Sequence, residues 1–92
     1  MSEDSVEKEL RITNKFGLHG RASARLVETA RKYKADIRLV RDGNEVDCKS
    51  ILDVMTMACT QGTPVTIRAR GEDAEAALAD LEQLMHNKFG EE

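Results

Sequence analysis

The stretch VTIRARGEDAEAALADLEQLMH, residues 65–86, decides the fold class because its hydrophobic period changes once along its length. Val65, Ile67 and Ala69 alternate with polar residues, which is the period of a half-buried strand. After Asp73, a predicted helix N-cap, apolar residues recur at helical spacing. They form a stripe of Ala74, Ala77, Leu78, Leu81, Leu84 and Met85. The stretch therefore predicts a strand followed by an amphipathic helix, for which Gly90 is a C-terminal stop.

A predicted β-hairpin lies upstream of this stretch. Residues 35–41 form its first strand, with Ile37 and Leu39 pointing inward. Asp42-Gly43 is a strong hairpin signal, because glycine accepts the positive φ that such a turn requires. A short strand over residues 45–48 completes the hairpin.

A helix is predicted between this hairpin and the strand that begins at Val65. Ser50 is its expected N-cap, and Asp53, three residues later, makes a near capping box. The helix is predicted to run to about Thr60, and the turn Gln61-Gly62-Thr63-Pro64 closes it.

Another strand and helix are predicted before the hairpin. The strand ends near Asn14, and its inward residues are Val6, Leu10 and Ile12. A tightly turned loop over residues 14–20 follows, with two glycines in seven residues. From Arg21 the period becomes helical, on a stripe of Ala22, Leu26, Ala30 and Tyr33.

The predicted order is therefore βαββαβα, in which three helices cover one face of a four-stranded sheet. This arrangement is a two-layer α+β sandwich. A chain of 92 residues has the size of one domain. We expect a single domain over residues 1–92, with its core at about 6–88.

Composition and charge exclude several function classes. The net charge of −3 argues against a general nucleic-acid binder. No apolar run approaches the roughly 20 residues that cross a bilayer, and the polar, acidic residues 1–9 do not have the layout of a signal peptide. We therefore expect a cytoplasmic protein with no membrane insertion. Cys48 and Cys59 are then expected to be reduced thiols.

The charge is unevenly distributed. Residues 11–41 carry two acids, Glu28 and Asp36, and many more basic residues. The basic residues are Arg11, Lys15, Arg21, Arg25, Arg31, Lys32, Lys34, Arg38 and Arg41. One interpretation is a solvated basic surface, and the other is a surface that meets an anion or an acidic partner.

His19 lies in the glycine-rich loop directly before a predicted helix. The first N–H groups of a helix have no internal partner and the helix dipole is positive there, so an anion binds with little further help. Arg21 can add a guanidinium to that anion, and Arg25 lies one turn further on the same face. A neutral imidazole nitrogen is a good phosphoryl acceptor. The alternative is a loop histidine before a cationic helix, with no chemistry attached.

Other chemistries lack their residues. His86, near the end of the last helix, suits the negative end of the dipole, and we assign it a structural or merely exposed position. The sequence has no CxxC pair for zinc, no glycine-rich nucleotide loop and no aromatic platform for RNA bases. No metal and no cofactor is predicted.

Three segments resemble one family with all spacings intact. NKFGLHGRAS, residues 14–23, resembles the active-site loop of HPr, the histidine-containing phosphocarrier of the bacterial phosphoenolpyruvate-dependent phosphotransferase system. KSILDVM, residues 49–55, resembles its regulatory serine segment. QGTPVTI, residues 61–67, with the turn at 71–73, resembles its last strand and turn. The resemblance covers about residues 6–88 and implies the open-faced sandwich of HPr, with an antiparallel sheet.

The resemblance implies a role for individual residues. His19 would accept a phosphoryl group from enzyme I on the ring nitrogen nearer the backbone and pass it to an enzyme IIA-type domain. Arg21 would stabilise the group during transfer. Ser50 would be a regulatory site for an HPr kinase, in bacteria that have one. Such a protein is a stoichiometric carrier, not a turnover enzyme. We also expect a monomer, because the sequence shows no long exposed apolar seam.

Partner docking is expected on the first turns of the first two helices, at Ala24, Arg25, Ile51, Leu52 and Met55. The hydrophobic pattern agrees with this. A helix that also buries Val54 and Ala58 leaves at least one of its other apolar residues exposed. Methionine suits a surface that must fit several partners.

The sequence departs from the family at three positions. Ala22 replaces a proline that pre-orders the first turn, Gly20 replaces a residue with a side chain, and Asp53 adds an acid to the docking helix. These departures leave open a regulatory interaction module in carbon or nitrogen control. They also leave open the carbohydrate and nitrogen branches of the family. A small nucleic-acid-binding domain is a weaker third interpretation.

Overall fold

Four strands form one antiparallel sheet in the computed structural model, which describes residues 5–91. The strands are β1 (Ser5–Arg11), β2 (Asp36–Arg41), β3 (Asn44–Asp47) and β4 (Pro64–Arg70). Their spatial order is β1-β4-β2-β3, so β4 lies between β1 and β2, and β3 forms one edge. Each neighbouring pair is antiparallel.

Three helices complete the predicted βαββαβα order. They are α1 (Gly20–Ala30), α2 (Ile51–Thr56) and α3 (Ala74–His86), and a short 3₁₀ helix follows at Lys88–Gly90. α3 packs on β1 and β4, and α1 packs on α2 and α3. The prediction of a two-layer α+β sandwich with an antiparallel sheet is confirmed.

Alternation along the strands separates the core from the open face of the sheet. Ile37, Leu39 and Ile67 are fully buried beneath the helices. Their polar neighbours face the other way. On that open face Arg68 forms ion pairs with Glu7 at 3.0 Å and with Glu45 at 2.8 Å. Burial of aliphatic side chains on one face therefore holds the two layers together.

The second helix is shorter than the sequence predicted. It ends at Thr56, not at about Thr60, because Ala58 adopts a left-handed backbone with φ of 49°. The prediction that Ala58 is buried was wrong, since Ala58 is exposed. Met57 and Cys59 on either side of it enter the core. A left-handed residue ends the helix and reverses which side chains face inward.

Other predicted boundaries also moved. α1 ends at Ala30, so Tyr33 lies outside it and donates a hydrogen bond to Asp80 at 2.6 Å. β1 ends at Arg11, three residues before the predicted limit near Asn14. The helix predicted to stop at Gly90 ends at His86, and Gly90 closes the 3₁₀ turn with φ of 79°.

Asp73 occupies the predicted N-cap position of α3 but makes no side-chain cap there. Its carboxylate accepts the backbone N–H groups of Lys34 and Ala35 at 2.9 and 2.8 Å. These bonds, that of Lys34 first, lower the pKa of Asp73. The residue therefore joins the α1–β2 connection to the start of α3.

Both cysteines are free and buried. Burial raises the pKa of Cys48 to about 12, so its thiol is unreactive at neutral pH. Across residues 5–91, the helices lack the length and apolar character that a membrane crossing would require.

Candidate functional site

His19 is the N-cap residue of α1. Its backbone is extended, with φ of −77° and ψ of −176°, and its ring Nδ1 accepts the N–H of Arg21 at 3.2 Å. Its carbonyl accepts the N–H of Ser23 at 2.8 Å. The sequence predicted a histidine before the helix, and the structure places that histidine in the cap itself. Nδ1 therefore lies beside the first free N–H groups of the helix.

The loop before His19 is held close to the segment that joins α2 to β4. Leu18 donates its N–H to Cys59 O at 2.8 Å. Gly17 has φ of 67°, and a Cβ at this position would lie 2.4 Å from the same Cys59 oxygen. The side chain of Asn14, fully buried, donates to Gly17 O at 2.7 Å. Glycine is therefore required at Gly17 both for its backbone conformation and for the close approach.

An open cleft surrounds the imidazole ring of His19. It is lined by Lys15, Phe16, His19, Arg21, Arg25, Gly90 and Glu91. The Phe16 ring meets the His19 ring edge to face at 6.0 Å between centroids. The Lys15 ammonium lies 5.6 Å from the centroid of Phe16. Three cations in one cleft make its electrostatic potential favourable for an anion.

The two arginines of the cleft are used differently. Arg21 is exposed, and within residues 5–91 its guanidinium makes no hydrogen bond or ion pair. Arg25 is half-buried and donates to the carbonyl oxygen of Phe89. Arg21 is therefore available to an incoming anion, whereas the guanidinium of Arg25 is engaged within the fold.

Glu91 is the acid of this cleft. Its Oε2 lies 2.7 Å from Nε2 of His19, and its Oε1 accepts the amide of Asn14 at 2.9 Å. The pKa of Glu91 is lowered, first by the bond from Asn14 and then by His19 and the charge of Arg21. The carboxylate is therefore ionised at neutral pH.

Ser50 is the N-cap of α2, as predicted. Its Oγ accepts the N–H of Asp53 at 3.3 Å, and the side chain is half-buried. Oδ2 of Asp53 reaches back to the N–H of Asp47 at 3.4 Å. The first turn of α2 therefore already contains a negative charge.

The predicted docking residues of α2 are all exposed. Ile51, Leu52 and Met55 have 37%, 74% and 43% of their surface accessible, whereas Val54 is fully buried. Ile51 also lines a groove with Ala24 of α1. We call Ala24, Ile51, Leu52 and Met55 the docking patch. Exposed apolar residues grouped in this way are typical of a protein contact.

His86 lies apart from this chemistry. It is in the last turn of α3, with its side chain 65% exposed and its Nε2 3.7 Å from Glu82. Among the described residues there is no cluster of three His, Cys, Asp or Glu side chains that could hold a metal ion.

Sequence reasoning did not identify Glu91 and Phe16 of the cleft, nor the buried Asn14 that contacts Glu91. Glu91 and Asn14 meet His19 or each other across more than seventy positions of sequence, so no local motif signals them. Phe16, 71% exposed, differs from these two, because an exposed aromatic side chain in a polar, glycine-rich loop is a local signal of a contact surface.

The fold and the cleft together define a class of protein: a small α+β sandwich that presents a histidine nitrogen at a helix N-terminus, beside free cationic side chains. The sequence matches the family described as "PTS HPr component phosphorylation site" over residues 6–87. The chain belongs to this family, the HPr phosphocarriers of the phosphotransferase system.

Individual relatives agree with this assignment. The phosphocarrier protein HPr of Xylella fastidiosa is 45% identical over 87 residues, which are 95% of this chain and 98% of that protein. The crystal structure of HPr-C-His from Thermoanaerobacter tengcongensis has 40% sequence identity and a TM-score of 0.92. The match covers 95% of this chain and 98% of that one. The solution structure of Crh, the catabolite repression HPr of Bacillus subtilis, is also similar. Its sequence is 36% identical and its TM-score is 0.65, and the match covers 87% of this chain and 95% of Crh.

Proposed function

We propose that this protein carries a phosphoryl group on Nδ1 of His19. Enzyme I supplies the group, and an enzyme IIA-type domain receives it. The proposal rests on the position of Nδ1, which accepts the N–H of Arg21 at the N-terminus of α1. A phosphoryl group on Nδ1 would lie next to that N–H and the positive end of the helix dipole.

The residues support each part of the transfer. The Nδ1 lone pair attacks phosphorus, the Nδ1–P bond forms, and the bond from phosphorus to the donor breaks. The N–H of Arg21, released from Nδ1, can then donate to a phosphoryl oxygen. The exposed guanidinium of Arg21 neutralises charge on the group in flight. Positioning and electrostatic stabilisation carry most of such a reaction, so little more is needed from the protein.

We propose that the docking patch and Arg25 contact both enzyme I and the enzyme IIA-type domain. The patch is apolar and exposed, and the cations Lys15 and Arg21 lie in the neighbouring cleft. An apolar centre with a basic border favours acidic partners and increases their association rate. We propose that the protein acts in the cytoplasm as a monomer, which sedimentation equilibrium would test.

Intact mass spectrometry tests the carrier function directly. Wild type and His19→Ala are incubated with phosphoenolpyruvate and active enzyme I. We expect one acid-labile phosphoryl adduct on wild type and none on the variant, while His86→Ala behaves as wild type. Subsequent addition of carbohydrate-type or nitrogen-type enzyme IIA domains identifies the branch, because the true acceptor removes the adduct. A wild type that stays unmodified beside an active donor would refute the proposal.

We propose further that Ser50 is a regulatory phosphorylation site for an HPr kinase. A phosphate at an N-cap is stabilised by the helix dipole, so α2 would keep its fold. About two negative charges would then lie in the docking patch, beside Asp53, and repel an acidic partner. Incubation with ATP and an HPr kinase tests this: wild type should gain one acid-stable phosphate and Ser50→Ala none.

A regulatory interaction module is the second candidate, and the similarity to Crh favours it. Crh is described as a catabolite repression HPr of Bacillus subtilis. In this alternative the protein binds partners through the docking patch and transfers no phosphoryl group. Retained binding of enzyme I or a regulator without any adduct on His19 would identify it.

A further inference from the structure

The carboxylate of Glu91 occupies the side of the His19 ring opposite to Nδ1. Its Oε2 lies 2.7 Å from Nε2, and only 13% of the Glu91 side chain is exposed, against 34% for His19. The amide of Asn14, itself fully buried, donates to the other oxygen at 2.9 Å. The carboxylate is therefore fixed on both of its oxygens in a partly desolvated place.

The segment that carries Glu91 is anchored on each side of the cleft. Phe89, with 1% of its surface exposed, is inserted in the core, and its carbonyl accepts the guanidinium of Arg25. Gly90 follows with φ of 79° and would place a Cβ 2.7 Å from that guanidinium. Glu91 N–H then donates to Lys88 O at 2.9 Å. These contacts fix the backbone on either side of Glu91, so the position of its side chain beside His19 is set by the packing of residues 88–91.

Two hydrogen bonds select the same tautomer of the imidazole. Nδ1 accepts the N–H of Arg21, so Nδ1 carries a lone pair and no proton. Nε2 must then hold the ring proton and donate it to Glu91. A carboxylate on the far nitrogen fixes the tautomer of a reactive histidine and stabilises the positive ring that forms when the near nitrogen reacts.

We propose that Glu91 is a positioning residue that keeps the proton on Nε2 of His19 throughout phosphoryl transfer; this inference rests on the proposed carrier function. When Nδ1 attacks phosphorus, the Nδ1–P bond forms, the donor takes the electrons of its own bond to phosphorus, and the ring becomes positive. Nε2 keeps its proton in that cation and continues to donate it to the carboxylate of Glu91. In the return step the protonated ring leaves phosphorus as a neutral imidazole, which is a better leaving group than an imidazolate.

The remaining charges of the cleft support this role. Lys15, Arg21 and Arg25 all line it, and each disfavours a positive ring. Glu91 is the single acid among the lining residues of this cleft. Its carboxylate binds Nε2, which points away from Nδ1, so its charge is on the side of the ring remote from the incoming phosphoryl group. Glu91 can thus stabilise the ring cation with little repulsion of the anion.

Glu91→Gln tests the inference, because glutamine keeps the shape but removes the charge and leaves one accepting oxygen for the two donors, Asn14 Nδ2 and Nε2 of His19. Glu72→Gln is the matched control, since Glu72 is exposed and lies outside the cleft. The first readout is the ¹⁵N chemical shift of Nε2 in phospho-His19 as a function of pH. We expect the phosphorylated variant to lose its Nε2 proton at lower pH than wild type and the control.

The second readout is the rate at which phospho-His19 passes its group to an enzyme IIA domain. We expect this rate to fall about tenfold in Glu91→Gln, the equivalent of one pH unit in ring protonation, and to be unchanged in Glu72→Gln. Thermal unfolding followed by circular dichroism identifies a temperature at which all three proteins are folded, and the rates are compared at that temperature. Identical Nε2 titrations in wild type and Glu91→Gln would overturn the inference while leaving the carrier function intact. A wild type without any adduct would instead refute the carrier function.

Discussion

The N-termini of α1 and α2 are capped in the same way but differ in charge. Each helix is capped by a side chain that accepts a backbone N–H, Nδ1 of His19 in α1 and Oγ of Ser50 in α2. α1 has no acid in its first turn, whereas α2 has Asp53 there. The α1 terminus also has free cationic neighbours, and the α2 terminus opens onto the apolar docking patch.

The charge of the first turn therefore separates the two proposed roles. A terminus without an acid retains its positive potential for a transferred anion. A terminus with its own acid has part of that potential neutralised, so an added phosphate there acts mainly on the partner through repulsion.

Removal of the free cation at the α1 terminus should have the largest effect. In Arg21→Ala we expect phosphoryl transfer to slow about a hundredfold, as for the loss of one donor that stabilises a developing charge. Rapid-quench measurement of adduct formation on His19 provides the rate. Lys32→Ala removes one positive charge just beyond the C-terminus of α1 and should leave the rate within twofold of wild type. Equal losses in the two variants would show that only net charge matters.

A negative charge at the α2 terminus should weaken partner binding. Ser50→Asp and Ser50→Asn both preserve the N-cap, so they differ only in charge. We expect Ser50→Asp to bind enzyme I about fivefold more weakly than Ser50→Asn, the value of one surface charge interaction. Titration calorimetry at low and high salt measures this, and the difference should shrink as salt rises. A difference that is independent of salt would contradict the electrostatic explanation.

Two glycines near the α1 terminus should respond in opposite directions. Gly20 begins the helix with no atom within 4 Å of a built Cβ, so Gly20→Ala should raise the free energy of unfolding by about 0.5 kcal/mol. Gly17→Ala should lower it by about 1–3 kcal/mol, because of the positive φ and the contact with Cys59 O. Urea denaturation of both variants measures the effects. Stabilisation by Gly17→Ala would refute the described loop geometry.

Acidic pH should lower the free energy of unfolding through protonation of Glu91. Its folded pKa lies below the ordinary 4.5, held there first by Asn14. Its contribution to stability is therefore fully present above the unfolded pKa and is lost as the pH falls through the lower folded value. We expect wild type to be more stable than Glu91→Gln at pH 7, and the difference to shrink progressively as the pH falls below 4.5. A difference that does not change with pH would assign the stability to packing, not to the charge.

Much of the fold could be predicted because its signals are local. The alternation of Val65, Ile67 and Ala69 and the helical stripe around Leu81 each identify an element within one window. The end of α2 could not be predicted, because Ala58 adopts its left-handed backbone in response to tertiary packing of Met57 and Cys59. Propensity describes Ala58 as a helix former, and the fold overrides it.

The candidate site divides in the same way. His19, Arg21 and Ser50 could be proposed because a histidine or a serine directly before a helix has a physical meaning in sequence. Glu91 could not be proposed, since its bond to His19 joins positions 72 residues apart. The engagement of Arg25 with Phe89 O was likewise beyond any sequence pattern, and it distinguishes Arg25 from the free Arg21.

The sheet order has a consequence for how the protein is made. Among the described strands β1 pairs with β4 alone, and residues 12–63 lie between the two in sequence. The ring of His19 meets Glu91 across a longer interval still. Contacts of such long range form late in folding, because the intervening chain must first lose its freedom. A nascent chain therefore presents His19 without its Glu91 partner until residues 87–91 have emerged from the ribosome. Completion of the proposed phosphoryl-carrying site is thus coupled to completion of the fold, so partly made copies should be poor acceptors from a phosphoryl donor.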